Sequence, residues 1–301
     1  MFSIIVPTYR RPNELAGMLA ALERAIAEVP GRVEVIVTSD AGDDESRVIV
    51  ERLGHRWTTG QRRGPAANRN HGVALATCEW LVFLDDDCLP KPELLTEYRS
   101  VIEANPRAQV VEGAIVAVGK RNAWNLEAVE NISGGVLWSC NFAIRRQFYH
   151  QLGGFDESFA EASGEDIDLR NRILSSGAKI PFAQKAVVEH PARYLTIGQM
   201  WRQTLRARWG VLVELRRKPS GFFPRGLAPV VTFPLFWARC LRQFVRDARS
   251  DRFLSHRAAR LAVNLVLAPL IIPYLIFWEW RFRSQPPRLD ARQPKETRNV
   301  Q

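Results

Sequence analysis

Trp80-Leu81-Val82-Phe83-Leu84-Asp85-Asp86-Asp87-Cys88 is an apolar run that stops abruptly on three carboxylates. Such a run, bounded by polar residues, reads as a strand buried on both faces of a parallel sheet, where the apolar/polar alternation of a half-exposed strand is lost. Three adjacent acids repel one another, so they form either a solvated turn or a group held together by positive charge. Open α/β sheets place their ligands at the carboxyl ends of strands, which favours the second. Asp85 and Asp87 are two apart, a D-x-D spacing, and in extended geometry they project to the same side. Hard oxygen donors on one side of a crevice suit Mg²⁺ or Mn²⁺ that also binds a substrate phosphate.

Outward from that strand the chain repeats a strand–helix pattern. Phe2 to Val6 reads as a first buried strand ending at Pro7-Thr8-Tyr9. Pro12 suits the first position of a helix whose Leu15, Leu19, Leu22 and Ile26 recur at helical spacing. Val33 to Val37 is a second strand, closing on Thr38-Ser39-Asp40 and followed by a helix around Val48 to Leu53. Short links between alternating strands and helices predict βαβ units and a parallel sheet. Asp40 stands just past a strand end, where its carboxylate could accept from a nucleobase or ribose or simply cap the next helix. Arg62-Arg63-Gly64-Pro65-Ala66-Ala67-Asn68-Arg69-Asn70-His71-Gly72 precedes a helix carrying Val73, Leu75 and Ala76. Small residues and an arginine there allow close approach to a phosphate.

Taken in order, Ile5-Val6-Pro7-Thr8-Tyr9, Val35-Ile36-Val37 closing on Asp40, Ala67-Asn68-Arg69-Asn70-His71-Gly72 and Phe83-Leu84-Asp85-Asp86-Asp87 resemble the family-two inverting nucleotide-sugar glycosyltransferases. The resemblance covers roughly residues 1–190. It implies an α/β GT-A fold, Rossmann-like, with a mainly parallel central sheet flanked by helices. The usual acidic pair after the second strand is here Ser39-Asp40. The resemblance places Pro7, Thr8, Tyr9, Asp40, Arg69, Asp85 and Asp86 around the nucleotide sugar. It also makes the stretch around Ser139, Cys140 and Asn141 the floor beneath the donor sugar, with Asn141 a donor-binding residue. Gly164-Glu165-Asp166-Ile167-Asp168 opens a helix with acids, an ordinary complement to the helix dipole. In similar proteins an acidic pair here faces the acceptor, which makes Asp166 the candidate general base, with Glu165 either its partner or a holder of sugar hydroxyls.

Inverting transfer is one in-line displacement, so it needs the leaving diphosphate neutralised and the acceptor hydroxyl deprotonated. Asp87 and Asp85 are the candidate metal ligands, with Asp87 the more direct. Val187-Val188-Glu189-His190 reads as a last strand, and His190 is either a hydrogen-bonded structural residue or a further ligand.

The charge is split along the chain. Residues 1–190 carry 21 basic and 26 acidic residues, a net of −5, whereas residues 191–301 carry 21 and 6, a net of +15. This suggests a catalytic domain over 1–195, a helical region over 196–283 and a basic tail over 284–301 that reads as disordered. Ile197 to Lys218 interleaves Trp201, Leu205 and Trp209 with arginines, the pattern of a helix lying on anionic lipid or packed on the catalytic domain. Leu227 to Ala238 is too short to span a bilayer, and Leu261 to Trp278 reaches the lower edge of a span but contains Pro269 and Pro273. Arginines flank all these segments, so the expected location is the cytoplasmic face of a membrane, monotopic or with one to two spans. A lipid-linked or glycan acceptor follows from that placement. The four cysteines show no ligand spacing or disulfide framework. A nucleotidyltransferase would show a glycine-rich phosphate loop with a lysine near the amino terminus. A non-enzymatic membrane or polyanion binder would use the basic third alone, and its long apolar runs argue against a nucleic-acid partner.

Overall fold

The computed structural model describes residues 1–119, 125–217, 271 and 273–285. β1 (Phe2–Thr8) leads into α1 (Pro12–Glu28), β2 (Val33–Ser39) into α2 (Asp44–Arg52), β3 (Arg56–Thr59) into α3 (Pro65–Val73), and β4 (Trp80–Leu84) into the acid turn. There follow β5 (Leu89–Pro90), α4 (Leu94–Ala104), β6 (Val110–Val118), β7 (Leu126–Glu127), β8 (Asn141–Arg145) and α5 (Arg146–Gln151). The chain continues through α6 (Glu165–Ser175), β9 (Phe182–Pro191), β10 (Arg193–Tyr194), α7 (Ile197–Leu205) and α8 (Ala207–Arg217). A further helical stretch covers 273–284.

Eight strands form one sheet in the order β3-β2-β1-β4-β8-β6-β9-β5. β1 pairs in parallel with both β2 and β4, and β2 with β3, as the βαβ pattern predicts. β8 then enters antiparallel between β4 and β6. β6 and β9 run parallel, and β5 closes the far edge antiparallel to β9. A separate two-stranded sheet joins β10 to β7.

Successive residues of a strand face opposite sides of the sheet, and both sides here are covered. Phe2, Ile4 and Val6 meet Leu15, Met18, Leu19 and Leu22 of α1. Ile5 and Phe83 meet Phe142, Tyr149 and Phe155 on the other face, where α6 is seated through Leu169 and Ile173. All five residues of β4 are buried, which is why its run is unbroken.

Several expectations are corrected. The 67–72 stretch does not precede a helix but lies within α3, because Pro65 fits its first turn and Leu75 and Ala76 fall beyond its end. The helix expected over 197–218 is two helices that meet at Arg206. Trp209, Leu212 and Val213 of α8 pack on Phe159 of the catalytic domain, on Ile271, and on Leu275 and Phe282 of the 273–284 stretch, which is the packed alternative of the two the sequence offered for this apolar face. No helix among the described residues is long and apolar enough to cross a membrane, which overturns the expected membrane location with one to two spans. The segment 227–238, most of 261–278 and the tail from 286 lie outside the described residues.

Candidate active site

The chain turns immediately after β4, with the Cys88 amide donating to the Asp85 carbonyl at 3.2 Å. In a turn the period-two rule of a strand no longer applies, and the three carboxylates diverge. Asp85 accepts from Arg69 Nη2 at 2.7 Å. Asp86 is buried and accepts from the Thr8 hydroxyl at 2.8 Å and from Arg11 Nη1 at 3.1 Å. Burial pushes its pKa up, opposed by Arg11 and Thr8. Asp87 accepts from Arg11 Nη1 at 3.0 Å and from Arg193. Positive charge does hold the acids together, and it comes from arginines 11, 69 and 193.

Three consecutive residues of α3 brace the site. Asn68 Nδ2 donates to the Thr38 carbonyl at 2.8 Å, tying the helix to β2. Asn70 Nδ2 donates to the Phe155 carbonyl and to Glu157, and its Oδ1 accepts from the Phe155 amide, fixing the chain ahead of α6. Arg69, 3% exposed, spans from Asp85 to Glu165 Oε1 at 3.3 Å. Burial opposes its charge, but the two carboxylates outweigh that and push its pKa further up. The guanidinium expected at a phosphate therefore reaches two acids instead. Gly64, at φ +96°, begins this helix where any Cβ would stand 2.3 Å from the Ala160 carbonyl oxygen. The loop before α3 and the loop before α6 thus touch through backbone.

Glu165 and Asp166 form the first turn of α6. The Glu165 carboxyl is buried, and burial followed by the charge of Asp166 pushes its pKa up to about 7 against the pull of Arg69. Asp166 accepts from the Ile167 amide at 2.8 Å and is likewise raised, chiefly by burial. Two neighbouring carboxyls that are both raised hold their last proton to higher pH than free ones, which makes the deprotonated member a stronger base toward a hydroxyl.

Both acids line a cleft of about 490 Å³ together with Arg69, Asp85 and His190. Behind His190, its Nε2 lies 3.7 Å from Asp87 Oδ1. That oxygen is buried and has no hydrogen-bond partner among the described residues. An orphaned carboxylate oxygen beside an imidazole is a donor pair that fits a divalent cation. Cys88 completes the group of close donor atoms, whereas Asp85 stands outside it because Arg69 holds its carboxylate. The Cys88 thiol pairs with Cys140, and that bond, with burial, pushes its pKa well up.

Asp40 accepts from the amides of Arg62 and Gly64 at 3.1 and 3.0 Å, anchoring the loop before α3. Tyr9 is 57% exposed, and Pro7 pairs in register with Thr38. Asn141 differs from expectation. It is fully buried in β8, accepting from the Tyr98 hydroxyl at 2.7 Å and donating to the carbonyls of Ala114 and Ala186. Its neighbours Ser139 and Cys140 line the cleft in its place.

Residues 3–160, just over half of the chain, match the family described as Glycosyl transferase family 2. The chain belongs to that family. Residues 130–196 also match the N-terminal domain of galactosyltransferase, the part that carries the acid pair and His190. A relative in Haemophilus influenzae, an uncharacterized glycosyltransferase, is 28% identical over 211 residues, covering 65% of this chain and 68% of its own. The validoxylamine A glucosyltransferase of Streptomyces hygroscopicus subsp. limoneus is 24% identical over 229 residues, covering 62% of this chain and 50% of its own. Among solved structures, the mannosyltransferase PcManGT from Pyrobaculum calidifontis, in complex with GDP-Man and Mn²⁺, aligns at TM-score 0.53 with 20% identity over 95% of this chain and 88% of that one. S. aureus TarS aligns at TM-score 0.52 with 16% identity over 88% and 91%. The fold is thus the GT-A fold, and this transferase uses a nucleotide sugar, so the nucleotidyltransferase and non-enzymatic readings are set aside.

Arg11, Arg193 and Glu112 of the transferase escape its sequence, whereas Gln203 and Arg206 belong to a stretch that loosely resembles a Gln/Arg/Trp segment common in the family. Arg11 and Arg193 meet on Asp87 although far apart along the chain. Gln199, Arg202, Gln203 and Arg206 of the α7 region form a wall of the cleft, and Gln203 donates to Glu127 at 2.5 Å, tying α7 to β7. Glu112 accepts from Asn131 Nδ2, from the amides of Gly135 and Val136 at 2.6 and 3.0 Å, and from that of Leu137. Its only signal in the sequence is an acid inside an otherwise apolar strand.

Proposed function

We propose that the chain is an inverting glycosyltransferase that moves a sugar from a nucleotide-diphosphate sugar to a hydroxyl of a lipid-linked or glycan acceptor. The observation that carries this is one cleft shared by a carboxyl pair with raised pKa and, through His190, the orphaned oxygen of Asp87. Asp87 and His190 would hold Mn²⁺ or Mg²⁺, which when bound neutralises charge developing on the leaving diphosphate. Arg11 and Arg193, already drawn to the acid turn, add positive charge on the same side. Asp40 and the amides it fixes shape the nucleoside end of the site. Thr8 and Asp86, bonded to each other, set the floor between the nucleoside and phosphate ends.

Asp166 takes the acceptor proton. One of its oxygens is held by the Ile167 amide, leaving the other to face the cleft, while Glu165 is engaged by Arg69 and keeps the pair's charge in check. A single displacement with the base opposite the leaving group inverts the anomeric centre. For the acceptor, a relative in Campylobacter jejuni named for a polyprenyl-linked substrate, the GalNAc(5)-diNAcBac-PP-undecaprenol beta-1,3-glucosyltransferase, is 30% identical over 96 residues and 28% of this chain. That supports a lipid-linked acceptor as the first class to try.

The test is nucleotide release from a panel of UDP-, GDP- and dTDP-sugars with Mn²⁺ or Mg²⁺. One donor should turn over in a metal-dependent way. Asp87→Ala should abolish metal-dependent nucleotide binding, and Asp166→Asn should keep binding while lowering kcat about 10²- to 10⁴-fold. Metal-independent turnover, or an active Asp166→Asn enzyme, would defeat the assignment.

A further inference from the structure

Arg208 belongs to the basic third of the sequence, yet it neither lines the cleft nor faces solvent, its side chain being 20% exposed. Its guanidinium donates to Glu161 Oε1 and, at 3.0 Å, to the Tyr274 hydroxyl, which in turn donates to the Leu205 carbonyl at 3.0 Å. The same group lies 5.1 Å from the Trp209 ring centre and 4.9 Å from that of Trp278. The second oxygen of Glu161 meets Arg206 Nε at 3.3 Å.

Glu161 sits in the loop that runs directly into Glu165 and Asp166. The start of that loop is tied from the same side, since Arg216 reaches Asp156 at 3.0 Å and Ser158 at 3.3 Å. Between the two ties, Phe159 is fully buried, its ring 5.7 Å from that of Trp209. Gly164, at φ +94°, ends the loop where a Cβ would stand 3.1 Å from Phe159 and 3.2 Å from Val213. The loop before the acid pair is thus held from behind by α8 and the 273–284 helix, with Arg208 at the meeting point of all three.

We propose that Arg208 is a positioning residue for the transfer step: through Glu161 it fixes the 156–164 loop and so the direction in which Asp166 faces the acceptor. The proposal rests on the reading of Asp166 as the base. A guanidinium is required because the position asks for a planar fork serving two oxygens while its faces lie against two indoles, and a lysine offers one point charge.

The experiment compares full-length Arg208→Met, Arg208→Lys, Glu161→Gln and the Arg208→Met/Glu161→Gln double variant in two ways. Amide hydrogen exchange of the 156–164 peptide should speed up roughly tenfold in both single variants while a peptide across β1 stays unchanged. Turnover should fall at least about tenfold with the donor KM held within about twofold, and the double variant should be no slower than Glu161→Gln alone, since Arg208 acts through that carboxylate. Arg208→Lys should recover part of the loss. Unchanged exchange removes the clamp whatever the protein catalyses. Faster exchange with kcat intact removes the link to the reaction, as does a double variant whose losses multiply. Should Arg208→Met fail to fold, Glu161→Gln carries the same two readouts, because it alters one loop carboxylate and leaves the indole stack in place. An Asp166→Asn enzyme with full turnover defeats the base assignment separately, and the exchange data still decide the clamp.

Discussion

At the residue scale the three aspartates after β4 are not equivalent. Asp85 belongs to the acid pair through Arg69, Asp86 to the framework through Thr8, and Asp87 to His190 and the proposed cation site. The acid turn itself was plain in the sequence, because an apolar run ending on acids admits few other readings. Where each carboxylate points was not, since that is decided by arginines 11, 69 and 193, brought together only by the fold. Asn141 differs from what the resemblance implies for a related reason: its side chain is spent on interior hydrogen bonds to Tyr98, Ala114 and Ala186, which no local signal in the sequence reveals. Glu165 carries a pH signature. Its pKa is raised from 4.5 to about 7 by burial, so between those values the folded protein binds more protons than the unfolded chain. That contribution to stability is present at low pH and is lost as pH rises through about 7. Urea titrations from about pH 5 to about pH 8 should show this downward slope, and Glu165→Gln should flatten it. Turnover should move the other way, rising with pH as the raised carboxyl pair gives up its last proton. A wild-type stability curve identical to that of Glu165→Gln would contradict the placement of this carboxyl.

At the scale of elements, β1, β2 and β4 and the helices α1 and α2 were legible because their periodicity and their Pro and Gly boundaries are local signals, whereas the short β3 and the start of α3 were not. β6 was not, since Glu112 and Gly113 interrupt its apolar run. The interruption has a purpose in the loop that follows. Leu137 sits at φ +50°, a left-handed conformation that a branched side chain adopts only at a cost of about 1–2 kcal/mol. Glu112 offsets that cost by accepting the amides of three successive residues, Gly135 to Leu137, and so presents Trp138 and Ser139 to the cleft. Glu112→Gln places an amide N–H₂ against those donors and should cost about 3 kcal/mol in urea unfolding, with weakened donor binding. A change below about 0.5 kcal/mol would show that the loop holds itself.

For the molecule as a whole, the catalytic unit does not stop where the charge changes sign. A boundary at residue 195 separates the basic third by composition, but α7 walls the cleft and α8 buries Phe159. Tryptophan and arginine on a helix suit lipid and suit a protein neighbour equally well, and only the fold distinguishes them. A chain ended at residue 195 should therefore expose the Phe159 surface, bind a hydrophobic dye and lose nucleotide release. Full turnover by that truncation would mean that α7 and α8 are dispensable.

The sheet order also divides the chain cleanly in two. Strands β1 to β4 lie side by side and come from the first stretch of the chain, and everything beyond the β4–β8 seam comes from later. A polypeptide emerging from the ribosome can pair its first four strands early, but β4, the most thoroughly buried of them, then stands as a bare sheet edge until β8 is made. The newborn chain passes through its most aggregation-prone moment with the acid turn already in place, and those three charges sit at the end of the very strand that needs keeping apart from its copies.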